Sequence, residues 1–229
     1  MSSHPVDPPE RESLGADRIL KDIFLPTDRE RIMQAMADTC AERGYADTTI
    51  DEILEKADVS AEVFAQNFEG KDDCAVAVVN MILAEGTAAS SGAWSSDYSE
   101  QESVIVGFLA LLEMFAARPS LAAVSYVQAR YAMPPKAYLA YASGVTVLAS
   151  MLDRMRAYAS DENMVPALAS RAALGSAGTL IRQAIVAGEA ENLPKLLPDI
   201  IYGLLVPFLG QREALRSAER ARELLKDGG

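Results

Sequence analysis

A chain of 229 residues, half of them hydrophobic, is long enough to bury a substantial core and is not disordered as a whole. Aromatic residues make up only 7% while alanine is abundant, a composition that suits packed helices better than β-branched sandwiches, so an all-α fold is expected. The net charge of −12 advertises neither nucleic acid nor an anionic membrane, the two cysteines Cys40 and Cys74 lack metal-ligand spacing, and the single histidine, His4, leaves hydrolase triads without their usual base.

Residues 1–26 begin polar and proline-rich, unlike a signal peptide, and read as a disordered or arm-like tail with a short amphipathic turn at Leu20, Ile23 and Phe24. The chain is therefore expected in the cytoplasm, with no membrane partner, cofactor or metal. Thr27-Asp28-Arg29-Glu30 is a capping box that opens the first helix; Ile32, Met36 and Cys40 follow at four-residue spacing and Gly44 ends it. Thr49-Ile50-Asp51-Glu52 is a second box before two turns of helix with Ile50, Ile53, Leu54 and Ala57 as its apolar stripe. Ser60 caps a third short helix whose Val63, Phe64 and Phe68 point inward, and a long apolar helix spans about 72–86. Two short helices joined by about three residues behind a longer one form the layout of a helix-turn-helix. Further helices are expected at about 100–117, opened by the box Ser99-Glu100-Gln101-Glu102, and at 119–132, 135–159, 166–189, 195–209 and 211–226.

The stretch ERGYADTTIDEILEKADVSAEVFAQNFEGK resembles the N-terminal module of the TetR family of bacterial transcription regulators, with Gly44, Tyr45, Thr48, Thr49, Ile53 and Ala57 in register, followed by Val59, Ser60, Phe64, Phe68 and Lys71. The resemblance implies a DNA-binding module at 27–72 and a helical effector-binding and dimerising domain at 73–229. It also implies a ligand-responsive regulator, expected to act as a repressor, that binds palindromic double-stranded operator DNA as a homodimer. Asp58 stands where the family prefers Gly, and Asp is among the residues that tolerate the left-handed region. Ala65 replaces a backbone-contacting Tyr, Asn67 replaces His, and Glu62 adds a negative charge.

Residues 27–72 carry five cations against twelve carboxylates, a net of −7, although phosphate neutralisation supplies most non-specific DNA affinity. Three readings stay open. The carboxylates face away, leaving Thr49, Lys56, Ser60 and Ala61, with Glu62, Gln66, Asn67 and Lys71, as the DNA-contacting set. In that set Gln66 and Asn67 read adenine, Glu62 accepts from cytosine, and Lys71 holds a phosphate. Alternatively the fold is kept without operator binding, as a small-molecule- or protein-binding dimer. Or Arg11, Arg18 and Lys21 reach a minor groove.

In the larger domain an apolar, Met-rich interior suggests a site for an apolar or amphipathic small molecule, with Phe108, Leu112, Phe115 and Tyr126, then Arg130, Tyr131, Met151 and Met155 as its candidate lining. Small residues beside a broad apolar stripe near the C-terminus suggest a twofold interface through Leu174, Gly178, Ile181 and Ile185, with Leu197, Ile201, Leu205 and Phe208. The charged end of the chain reads as a solvated helix. No phosphate loop, paired metal motif or triad supports an enzyme.

Overall fold

The computed structural model describes residues 26–94, 98–160 and 165–227, and these are helical with no strand among them. The expected tail lies, apart from Pro26, outside the described residues, and with it Arg11, Arg18 and Lys21 and the turn at Leu20, Ile23 and Phe24.

Helix α1 (Asp28–Arg43), α2 (Ile50–Ala57) and α3 (Ala61–Asn67) form the N-terminal module. Both expected boxes are closed: Thr27 accepts from the Glu30 amide and Thr49 from the Glu52 amide, while each Glu carboxylate returns to its cap. Each such cap is worth about 1 kcal/mol. Glu30 and Glu52 are held below the usual carboxylate range, first by the cap backbone N–H they accept. Asp58 ends α2 at φ 53°, ψ 54°, in the left-handed region where the family prefers glycine. Ile32, Met36, Cys40, Ile53 and Phe64 close the module's core, with the Phe64 and Phe68 rings 5.6 Å apart. Ile50, expected in the apolar stripe of α2, is exposed.

Helix α4 (Lys71–Ser91) starts on the module and runs unbroken into the body, so the expected boundary at 72/73 falls inside its first turn. The body continues with α5 (Glu100–Ala117), capped by Ser99, and α6 (Pro119–Tyr131). Next come α7 (Pro135–Asp153), which tightens into a 3-10 turn over Arg154–Tyr158, α8 (Ala169–Val186), and α9 (Leu197–Asp227). Helix α6 contains a π-helical turn at Val124–Gln128, a distortion for which the sequence offers no local signal. Helix α9 breaks at Gly210, whose φ of 75° only glycine adopts without strain, where separate helices ending at 209 and starting at 211 are expected. Two segments, Lys71–Ser91 and Ala190–Lys226, are apolar and long enough to cross a membrane by composition. Here α4 packs Cys74, Ala75, Val78 and Ile82 into the core, and α9 packs Ile200, Ile201, Leu204 and Leu205.

The last core elements overturn part of the expected twofold interface. Leu197, Ile201, Leu205 and Phe208 are buried within the single chain, at 0–3% exposure, and a side chain with no free surface has none to give to a partner. Ile181 is likewise 1% exposed.

Candidate functional site

Two regions carry chemistry: the outer face of the module and a cavity in the body. On the module, the side of α3 that faces solvent presents Ala61, Glu62, Ala65 and Gln66, one helical turn apart in pairs. Gln66 is the exposed amide on that face. Asn67 is half-buried and its Nδ2 donates to the Val63 carbonyl at 2.9 Å. Thr49 and Ser60 are exposed, and both spend their hydroxyls on helix caps, Ser60 accepting from the Val63 amide at 3.2 Å.

The module's five cations all have partners within the chain. Arg29 donates to the Asn67 carbonyl at 2.7 Å and sits over the Phe68 ring. Arg31 holds Asp28 at 2.6 Å and donates to the Ala57 and Asp58 carbonyls, closing the C-terminus of α2. Arg43 pairs with Glu52 at 2.8 Å and Lys56 with Glu42 at 2.6 Å. The Lys71 ammonium donates to the carbonyls of Thr48 at 2.8 Å, Tyr45 at 3.0 Å and Ala46 at 3.5 Å, and lies over the Tyr45 ring. Lys71 is thus a staple between the loop after α1 and the start of α4, a role that its place beside a helix N-terminus does not reveal. The Tyr45 hydroxyl bonds to Asp72, and burial together with that carboxylate pushes the phenol far above its ordinary range.

Helix α6 joins module to body. Gln128, in the π-helical turn, accepts from the Tyr45 amide at 3.1 Å. At the other end of α6, Arg118 donates to Gln34 of α1 at 2.7 Å and pairs with Glu85 of α4, while Gln34 donates to Ser120 at 3.3 Å.

The cavity measures about 470 Å³ and lies among α4, α5, α6, α7 and α8, within the size range of small-molecule sites. Of the expected lining, Phe108, Phe115, Tyr126, Arg130 and Met151 face it. Leu112 and Met155 are fully buried outside its lining, and Tyr131 is 64% exposed beside it; for those three the expected lining role is corrected. Leu174, Gly178 and Ile181, expected at a twofold interface, line the cavity, whereas Ile185 stays half-buried against the core. A broad apolar stripe reports burial without saying against what. Ser103, Ser125, Tyr141 and Arg171 also line it and are not distinguishable in sequence from ordinary helical positions. The Tyr126 ring meets Phe115 edge-on at 5.3 Å, and burial pushes its phenol well up. The side-chain hydroxyls of Ser103, Ser125 and Tyr126 have no hydrogen-bond partner among the described residues. Helix α4 is tightly seated at the cavity wall: a Cβ on Gly144 of α7 would stand 2.3 Å from Leu83 Cδ2, and one on Gly86 would stand 3.1 Å from Leu111 Cδ1.

A three-helix module thus runs through α4 into a helical body that holds a ligand-sized cavity. Residues 32–78 match the family described as bacterial regulatory proteins, tetR family. The N-terminal unit is therefore a TetR-family helix-turn-helix, and the whole chain takes the fold of TetR-type regulators. The fatty acid degradation regulator FadR from Bacillus halodurans superposes with a TM-score of 0.66 at 16% identity, covering 76% of this chain and 96% of its own. FadR from Bacillus subtilis, in complex with stearoyl-CoA, gives 0.65 at 15% identity over 79% and 97%. The TetR regulator TylP from Streptomyces fradiae gives 0.64 at 18% identity over 87% and 96%. None of the curated proteins compared with the chain matches its sequence.

Proposed function

We propose that the chain is an effector-responsive transcriptional repressor that binds palindromic operator DNA as a homodimer and releases it when a small molecule fills the cavity. The observation that carries this reading is the π-helical turn of α6, which puts Ser125 and Tyr126 on the cavity while Gln128, in the same turn, holds the Tyr45 amide of the module. A ligand that favours another register of that turn acts on the Gln128 contact, and so on the module's placement, by its difference in affinity for the two states. The stearoyl-CoA held by the FadR relative supports a small-molecule effector in this fold.

The dimer is assigned to the exposed, uncharged side of α8, where Ala172, Ser176, Thr179, Leu180 and Gln183 share one face. The test is selection from random-sequence DNA at low and moderate salt. Recovery of a palindrome whose half-sites are one helical turn apart supports operator reading. A second reading, the same fold without operator binding, is favoured by the engagement of all five module cations and by Glu62 on the face of α3. Retention of nothing at low salt would establish that second reading.

A further inference from the structure

We propose that the cavity's effector is an anionic amphiphile, with one apolar tail inside and a carboxylate or phosphate head at Arg130 and Arg182. The inference rests on the effector reading above and gives it a chemical class. Three observations converge.

The chain holds 33 acidic residues against 21 Lys and Arg, yet no Asp or Glu lines the cavity among the described residues, whereas Arg130 and Arg171 do. A negative protein that clears carboxylates from one concave surface has removed the repulsion an anion would meet there. Most of the body's other arginines are ion-paired. Arg118, Arg154, Arg156, Arg212, Arg216 and Arg220 each hold a carboxylate. Arg130, Arg171 and Arg182, together with Arg222 near the end of α9, have no ion-pair partner among the described residues. Arg130, which lines the cavity, and Arg182 share a neighbour: their guanidiniums stand 5.4 Å and 5.5 Å from the centre of the Tyr131 ring. Guanidinium is the side-chain group best matched to a carboxylate or phosphate head.

The interior suits the rest of such a molecule. The walls are Ile82, Val104, Leu111, Phe115 and Ile181, and the unpartnered hydroxyls of Ser103, Ser125 and Tyr126 offer hydrogen bonds to a carbonyl or ether oxygen near the head. Tyr141, beside Arg130, continues this polar line toward the mouth. Taking a methylene at the ~30 Å³ that a water occupies in the liquid, a cavity of this size holds about fifteen such groups. A twelve-carbon probe is therefore suitable.

The experiment is calorimetric titration of the full-length protein, below micelle-forming concentrations, with dodecanoate, dodecyl phosphate, methyl dodecanoate and dodecylamine. Dodecanoate, dodecyl phosphate or both should bind at least about tenfold more tightly than the ester and the amine, as expected for a charge-assisted hydrogen bond at a partly solvated mouth. The arm that wins separates a free carboxylate from a phosphate-bearing head. In the double variant Arg130→Ala, Arg182→Ala, the anions should fall to the ester's affinity while the ester's own is unchanged. Both arginines are exposed, so the variant should melt within a few degrees of the parent, checked by thermal unfolding. Equal or tighter binding of the ester or amine would overturn the anionic class and leave the cavity as an effector site. Binding of none of the four would overturn both.

Discussion

Lys71→Met separates a structural staple from a phosphate contact. The ammonium has two good carbonyl acceptors, at 2.8 Å and 3.0 Å, a longer third at 3.5 Å, and the Tyr45 ring beneath it. Hydrogen bonds from a charged donor contribute about 1.5–3 kcal/mol each when buried. The site is half-buried and its carbonyls can be rehydrated, which brings the sum down to about 2 kcal/mol, methionine preserving most of the packing of the stem. For a chain of this length 2 kcal/mol lowers the melting temperature by about 4–8 °C. The assay is thermal and urea unfolding of the full chain, together with the salt dependence of binding to a selected DNA site. The reasoning requires a lower melting temperature and an unchanged slope of log affinity against log salt. A parent-like melting temperature with the slope reduced by about one phosphate would refute it and return Lys71 to the DNA.

Gln128→Leu should leave the Tyr45 amide without its acceptor, cost about 1 kcal/mol, and speed exchange of that amide proton by NMR while the α1 amides stay protected. Gly144→Ala drives the end of the Leu83 side chain toward the cavity, so ligand affinity should fall severalfold with a stability loss under about 1 kcal/mol; a large stability loss with unchanged binding would contradict this. The Cys74 thiol is pushed up to about 12, mainly by burial, and Cys40 is also raised. Folded protein thus keeps protons that unfolded chain loses above the ordinary thiol value near 9, so this contribution is full below that pH and fades toward 12. Urea midpoints should accordingly fall as pH rises from 9, less steeply in Cys74→Ala, and a thiol reagent at pH 8 should leave both cysteines unmodified until the chain unfolds. Glu30 and Glu52, held low by their caps, work in the opposite direction: their contribution is present above the ordinary carboxylate range and lost on acidification, to be read as loss of helical signal on acid titration.

What was legible in the sequence is what is local. Thr27 with Glu30, Thr49 with Glu52 and Ser99 with Glu102 lie three residues apart, so the boxes announce their helices, and a glycine at 210 announces a break. Long-range partners carry no such mark. Lys71 reaches back 23 residues to Thr48, and Tyr45 finds its acceptor 83 residues ahead in Gln128, which in sequence reads as a solvated position. The broad stripe of α8 correctly signals burial at Ile181, but whether Leu174 and Gly178 meet a core, a cavity or a second copy depends on where α7 is placed. The unpaired arginines at the cavity mouth are likewise silent, since an exposed Arg on a helix is the commonest of surface features.

The engagement of Arg29, Arg31, Arg43, Lys56 and Lys71 bears on how such a protein would find a target. Each contact with a phosphate requires giving up an internal partner, so the gain per contact is small on arbitrary sequence and accumulates only where the whole surface fits. Under the operator-reading proposal, such a module slides poorly along non-specific DNA and spends most of its search free in solution. It is correspondingly little diluted by the excess of irrelevant sites, so few copies per cell suffice to keep one site occupied.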